Sequence, residues 1–266
     1  MGKCFVGVKD NLADANVIDG LPKREETGSG VYTMRWSVKE IRGVPCQVRR
    51  LGEMRDVLYD QESAALADPS QPVYYVHREI PFNNPSADSS LVELRYDVTL
   101  IPPVRLGQEY PKTYGHYHSM GPGGVTYPEI YEVLQGTVHL LLQKTERDRV
   151  VNVCLIEGHL GDKLIVPPNY GHVLINPGEE LLATGNLVSK RCWAEYELWR
   201  RRKGGAYYEL KGRKLVKNPS YGNVPNVQLK APQSRFSREA RLTDLLLENR
   251  DGFRFLIDPR AYAEEP

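Results

Sequence analysis

Two patches of this chain carry side chains whose types and spacing suit a metal ion. The first is Gly115-His116-Tyr117-His118, with Glu129 after ten intervening residues and Gly136 seven positions beyond it. On a strand, residues i and i+2 point to the same side, so His116 and His118 can aim both imidazoles at one point. The second patch has the form G-x5-P-x4-H-x3-N and runs from Gly161 through Pro167 and His172 to Asn176. A third imidazole at His172 can meet the first two from a neighbouring strand. Three neutral imidazoles and one carboxylate suit a divalent transition ion such as iron, manganese, nickel, copper or zinc. Coordination positions then stay open for water or substrate. Glu132 competes with Glu129 for the carboxylate role, but strand alternation lets only one of them face the ion. The spacing to Gly136 favours Glu129. A bare H-x-H recurs by chance, whereas the joint pattern is specific. His77, His139 and His159 fall outside it and read as surface or hydrogen-bonded core histidines.

The elements that position these patches read as β-structure. Between 110 and 200, short strand-like runs such as EIYEVLQG, TVHLLLQK, RVVNVCLIEG and DKLIVPPN follow one another with glycine or proline between them. That spacing indicates an antiparallel sandwich or barrel without helices. Upstream, 31–38 alternates as a strand, 50–66 has a short amphipathic helical pattern, 72–80 is β-rich and 82–90 is a loop. Residues 92–101 alternate strictly, with Val92, Leu94, Tyr96, Val98 and Leu100 on one face and Glu93, Arg95, Asp97 and Thr99 on the other. Arg200-Arg201-Arg202-Lys203 reads as a solvated break before a polar stretch. Beyond it, Ser237 is placed to cap a helix carrying Leu242, Leu245 and Leu246, with Gly252 as its stop, and 253–259 reads as a strand. The chain therefore divides into an N-terminal strand or arm (1–44), a metal-carrying barrel (45–204) and an extension (205–266) too poor in apolar groups to fold alone, which should pack on the barrel.

Composition excludes several function classes. The 266 residues carry a net charge of +1, with 41% hydrophobic and 26% charged side chains. A dedicated nucleic-acid binder would show a basic excess. No apolar run is long enough to span a bilayer, and Asp10 and Asp14 interrupt the N-terminal segment before a signal peptide could form. Cys4, Cys46, Cys154 and Cys192 lie far apart and read as small buried side chains in a reducing compartment. A cytoplasmic protein is expected, with neither membrane nor nucleic acid as partner.

The two metal patches resemble the paired motifs of the cupin superfamily, a jelly-roll β-barrel with a metal inside. The likeness extends further. VRRLGEMRDVLYDQES, DPSQPVYY, TYGHYH, PEIYEVLQG and GDKLIVPPNYGHVLINPG run in the same order as in cupin-type glucose-6-phosphate isomerases, over roughly residues 45–200. The resemblance implies an all-β cupin barrel with a short N-terminal helical segment and a C-terminal extension. It implies one divalent metal per chain on His116, His118, Glu129 and His172, with Fe2+ first and Mn2+, Ni2+ or Zn2+ as alternatives. It also implies sugar-phosphate contacts at Tyr75, Thr99, Thr113 and the Gly115 amide, with Tyr131 and Tyr196 lining the sugar cavity. Hydroxyl and amide donors can hold a phosphate without a lysine. The implied reaction is the interconversion of glucose 6-phosphate and fructose 6-phosphate in glycolysis and gluconeogenesis, with Glu129 as base, in a homodimer. Val188 stands where the family prefers tyrosine, the His118–Glu129 loop is longer than in familiar members, and nothing after about 205 has a counterpart. The metal motifs alone also fit a cupin dioxygenase, another sugar isomerase or a non-catalytic sugar-binding cupin.

Overall fold

The computed structural model describes residues 44–81, 93–104, 106–233 and 235–262. The strand expected at 31–38 and the loop at 82–90 lie outside them. The fold is all-β, a jelly-roll of two antiparallel sheets. The larger sheet is ordered β1 (Cys46–Arg50), β2 (Pro72–His77), β3 (Leu94–Ile101), β10 (Leu182–Ser189), β5 (Glu129–Gln135) and β8 (Lys163–Val166). The smaller sheet is β14 (Gln228–Lys230), β7 (Arg149–His159), β6 (Thr137–Glu146) and β9 (Tyr170–Ile175), in which β14 alone runs parallel to its neighbour. Two-residue strands β4 (Tyr117–His118) and β11 (Ala194–Glu195) pair at one end of the sandwich. No helix among the described residues is long and apolar enough to cross a membrane.

The larger sheet is covered on both faces, and this explains its composition. In β5 every residue from Glu129 to Leu134 is buried, as expected of a strand with no wet side. Tyr131 and Val133 face the smaller sheet within the main core, while Ile130 and Leu134 face outward into a second core. The polar face of β3 follows the same logic. Tyr96, Val98 and Leu100 join the outer core, and Arg95, Asp97 and Thr99 turn inward to line a cavity between the sheets.

The C-terminal extension covers the outer face. Leu242, Leu246, Phe253, Phe255 and Leu256 are all buried there. A polar clamp holds it in place: Glu132, fully buried, accepts from Tyr96 Oη at 2.7 Å and from the Leu242 amide at 2.8 Å, and Lys163 Nζ lies 3.8 Å away. Lys163 in turn donates to the carbonyls of Gly161 and Ala240. Glu132 thus faces away from the cavity, as alternation requires, and acts as the acceptor at the N-terminus of helix Leu242–Glu248.

Several local expectations differ from the structure for identifiable reasons. Ser237 does not cap that helix; its hydroxyl serves a local turn at Glu239, and the helix begins after Arg241. Residues 251–256 form a 3-10 helix and not a strand. A strand would send Phe255 and Leu256 to opposite sides, whereas an extension lying on one sheet must bury both the same way. The helical pattern over 50–66 breaks into α1 (Leu51–Met54), a 3-10 turn and α2 (Gln61–Leu66). Asp60 caps α2 through the Ser63 amide, and the Tyr59 amide is drawn to buried Glu109. The 110–200 region is not free of helix, because Glu197–Arg201 forms α3 and Pro122–Gly124 a 3-10 turn. The basic run therefore includes the last turn of α3, and Arg202 donates to the Ser220 carbonyl. The polar stretch beyond holds the β12–β13 hairpin (Tyr207–Leu210 with Lys214–Lys217).

That hairpin carries a titratable lock. His139 is buried between Glu209, 2.8 Å from Nδ1, and Glu157, 2.7 Å from Nε2. Burial works to lower its pKa, but the two carboxylates outweigh it and the net shift is upward from 6.5. A raised folded value stabilises fully below the unfolded value of 6.5 and is lost as pH climbs through the folded one. The melting-temperature gap between wild type and His139→Gln should accordingly narrow as pH rises from neutral into the alkaline range. A gap independent of pH would show that the imidazole stays uncharged there.

Candidate metal centre

Backbone pairing assembles the three imidazoles. His116 and His172 form a two-way bridge, His116 N to His172 O at 3.1 Å and His172 N to His116 O at 2.9 Å. Alternation then puts His118 beside His116 and sends Tyr117 the other way, where its hydroxyl meets Thr145 and Gln143. The ring-nitrogen donors of His116, His118 and His172 all lie within 4.8 Å of one another. Ring centroids stand 4.5 Å apart for His116–His172 and 5.1 Å for His118–His172. Gly115 is required just before this group. Its φ is +81°, and a Cβ there would sit 2.3 Å from the buried Trp199 ring of α3. Asn176, the last residue of the second motif, is structural: its Nδ2 ties the carbonyls of Ile101 and Glu180 together.

Glu129 completes the cluster from β5. Its Oε2 lies 3.4 Å from His118 Nε2 and 3.2 Å from His172 Nε2. Oε1 accepts from Asn186 Nδ2 at 2.6 Å, whereas Oε2 is buried with no hydrogen-bond partner. The His118 Nδ1 faces the Tyr127 carbonyl at 2.7 Å, which can only accept, so Nδ1 carries the proton and Nε2 is aimed at the cluster. Burial and the neighbouring imidazoles hold the His116 pKa well below 6.5, and burial lowers that of His172. For His118 burial acts downward but is outweighed by Cys192 and Glu129, which push it up to about 10. Burial likewise opposes ionisation of Glu129, yet the contacts with His118 and His172 win and hold it well below the usual carboxylate range. Glu129 is therefore a buried anion with one oxygen needing a cation. A proton on His118 is one such cation; a divalent metal among three imidazole nitrogens is the other, and the donor set fits it.

The cluster forms part of the wall of a cavity of about 370 Å³. Thr99, Thr113, Gly115, Tyr131 and Tyr196 all line it. Thr113 Oγ1 accepts from the Leu174 amide at 3.1 Å, which orients its own proton away from that bond. The Tyr131 hydroxyl is 3.1 Å from His172 Nε2; burial first, then Glu129, raises its pKa well above 10, so it stays protonated. Tyr75 is a correction. It belongs to the outer core, and its neighbour Tyr74 lines the cavity instead, accepting from Arg49 Nε at 3.3 Å. The one-residue error follows from β2 reading YY, where composition cannot set the parity. The pocket also carries charge that the sequence did not disclose, because Arg78 and Arg95 line it together with Asp97. Asn186, opposite Tyr131 in the β10–β5 register, was also missed, as was Trp193 at the edge of the cavity.

A family model described as glucose-6-phosphate isomerase matches residues 48–226. The glucose-6-phosphate isomerase of Thermococcus litoralis is 31% identical over 134 residues, 50% of this chain and 64% of that protein. That of Pyrococcus abyssi strain GE5 is 30% identical over 141 residues, 53% of this chain and 68% of the relative. The match to the Thermococcus protein thus spans just under two thirds of its length. Among solved structures, the chain is similar to a Cupin 2 conserved barrel domain protein from Salinispora arenicola CNS-205, at 18% identity and a TM-score of 0.26 over 43% of this chain and 73% of that one.

Proposed function

The chain belongs to the glucose-6-phosphate isomerase family, and from that premise we propose that it interconverts glucose 6-phosphate and fructose 6-phosphate, with a divalent metal on His116, His118, Glu129 and His172. The observation that carries the reading is the buried, unpartnered Glu129 Oε2 between two imidazole Nε2 atoms, at the wall of a cavity that also offers hydroxyl donors. Iron is the first choice of metal, followed by manganese, nickel and zinc, all of which accept imidazole with carboxylate.

Aldose–ketose isomerisation moves one hydrogen between C2 and C1 while the carbonyl and the neighbouring hydroxyl exchange places. When bound, the metal would polarise the carbonyl oxygen and stabilise negative charge as it develops there. Glu129 is the base for moving the proton between C2 and C1; Asn186 holds Oε1, and Oε2, the oxygen that would face the metal, must loosen from the ion before it can take that proton. The Tyr131 hydroxyl, held protonated, is placed to donate to a substrate oxygen. Thr99, Thr113 and the Gly115 amide supply neutral donors for the sugar phosphate.

The direct test is turnover of fructose 6-phosphate, read by coupled oxidation of the glucose 6-phosphate formed. Conversion of fructose 6-phosphate but not of fructose supports the reading; no conversion with any metal overturns it. Thr113→Val keeps the side-chain shape and removes one donor. Loss of a hydrogen bond to a charged group is worth about 1.5–3 kcal/mol, so kcat/KM should fall about ten- to a hundredfold. Unchanged kinetics would leave Thr113 with only its bond to Leu174. Proton transfer through Glu129 further requires solvent tritium to enter the product, whereas complete retention would replace it with a hydride shift.

A further inference from the structure

The inner face of the β2–β3 wall carries a charged group that the metal cluster does not use. Asp97 is 2% exposed, and its Oδ2 accepts from Arg78 Nη1 and from Arg95 Nε, each at 3.0 Å. Its Oδ1 accepts from the Glu79 amide at 2.9 Å. Arg78 Nε is tied to Gln47 Oε1 at 3.1 Å, and Arg95 Nη1 to the Cys192 carbonyl at 3.1 Å. Each guanidinium is thus fixed through two nitrogens, and neither Nη2 has a hydrogen bond among the described residues. Both arginines line the cavity. Glu79, whose amide completes the arrangement, stands at φ 54°, an unfavourable conformation for a non-glycine side chain.

Arg78 and Arg95 share one carboxylate, Asp97, and the other anion acting on Arg95 is Glu129, which the proposed metal would neutralise, so the metal-loaded cavity keeps an excess positive charge. A purely structural ion pair would need one arginine for one aspartate. The second guanidinium, Arg95, is largely buried, at 17% side-chain exposure. Fixed guanidinium forks with open amino groups are the standard means of recognising phosphate and carboxylate. The neutral donors lie on the same surface, because Thr99 follows Asp97 by two residues on one face of β3.

We propose that Arg78 and Arg95, positioned by Asp97, form a guanidinium anion site in this cavity, and that the anion it takes is the phosphate of the sugar substrate. The proposal rests on the sugar-phosphate reading only for the identity of the anion. Charge recognition then lies with the arginines, while Thr99, Thr113 and the Gly115 amide refine orientation. Asp97 is a positioning residue, since it touches the guanidiniums and not the ligand.

The test is calorimetric titration of the metal-loaded protein with sorbitol 6-phosphate, inorganic phosphate and sorbitol, none of which requires turnover. Arg78→Gln should weaken both phosphorylated probes about ten- to a hundredfold, the usual cost of a lost charge-assisted hydrogen bond. Binding of sorbitol should not change. Arg78→Lys should recover part of the loss, as a point charge without the fork. Asp97→Asn separates position from net charge: it makes the cavity more positive, so simple attraction would tighten phosphate binding, whereas loss of positioning weakens it. Arg78 is partly exposed, so its variants keep the test decisive if Asp97→Asn fails to fold. Unchanged affinity in Arg78→Gln, or a wild type that binds neither phosphorylated probe, overturns the site. Arg78-dependent phosphate binding without conversion of fructose 6-phosphate would sink the isomerase reading and leave this one standing.

Discussion

His172→Ala is expected to lose its metal and its isomerase activity together while the β-sandwich persists. Removing a hydrogen-bond partner behind a metal ligand typically costs 10–100-fold in affinity, so removing a ligand should cost at least about a hundredfold. The fold should survive because His172 pairs with its neighbours through backbone atoms, and alanine keeps those bonds. Main-core side chains such as Leu140, Leu142, Val153 and Val173 are untouched. The measurement is metal per chain by elemental analysis, paired with a melting curve. Unchanged metal content would remove His172 from the cluster; a collapsed melting transition would make its role structural.

Truncation after Gln233 should have the largest effect on stability. It uncovers the outer face of the large sheet by deleting Leu242, Leu246, Phe253, Phe255 and Leu256. At about 1.5–3 kcal/mol per buried side chain, the loss is roughly 7–15 kcal/mol, comparable to the whole stability of an ordinary domain at about 5–15 kcal/mol. Glu132 would also lose the Leu242 amide. The truncated chain should therefore aggregate or lose cooperative melting. Leu246→Ala is the milder form, costing about 2–5 kcal/mol with metal content unchanged, because every proposed ligand precedes the extension. A truncated chain as stable as the full one would show that the extension does not hold the outer face.

What the sequence disclosed depended on whether the signal was local. His116, His118, Glu129 and His172 were legible because strand alternation and turn glycines fix where such residues point, and the structure brings those side chains together. The choice of Glu129 over Glu132 followed from the same parity. Parity failed at Tyr74-Tyr75, where two identical side chains occupy both faces and only the register with β1 and β3 decides. Arg95 and Asp97 were correctly placed on the polar face of β3, but the function of that face was hidden. Whether a polar face meets solvent or a cavity depends on the opposite sheet, and Arg78 joins it from just beyond the end of β2, 19 positions before Asp97. The extension was hardest to read. Its 3-10 helix over 251–256 answers to the sheet beneath it, and its helix start at Leu242 is set by a carboxylate 110 positions away in sequence.

The central claim, metal-dependent isomerisation at the His116–His118–Glu129–His172 cluster, is tested most directly by stripping the protein with chelator and titrating iron or manganese back while assaying fructose 6-phosphate conversion. Activity should vanish on stripping and return linearly with metal, reaching its plateau at one ion per chain. Full activity in metal-free protein, or a reloaded protein that binds one ion and converts nothing, would contradict it.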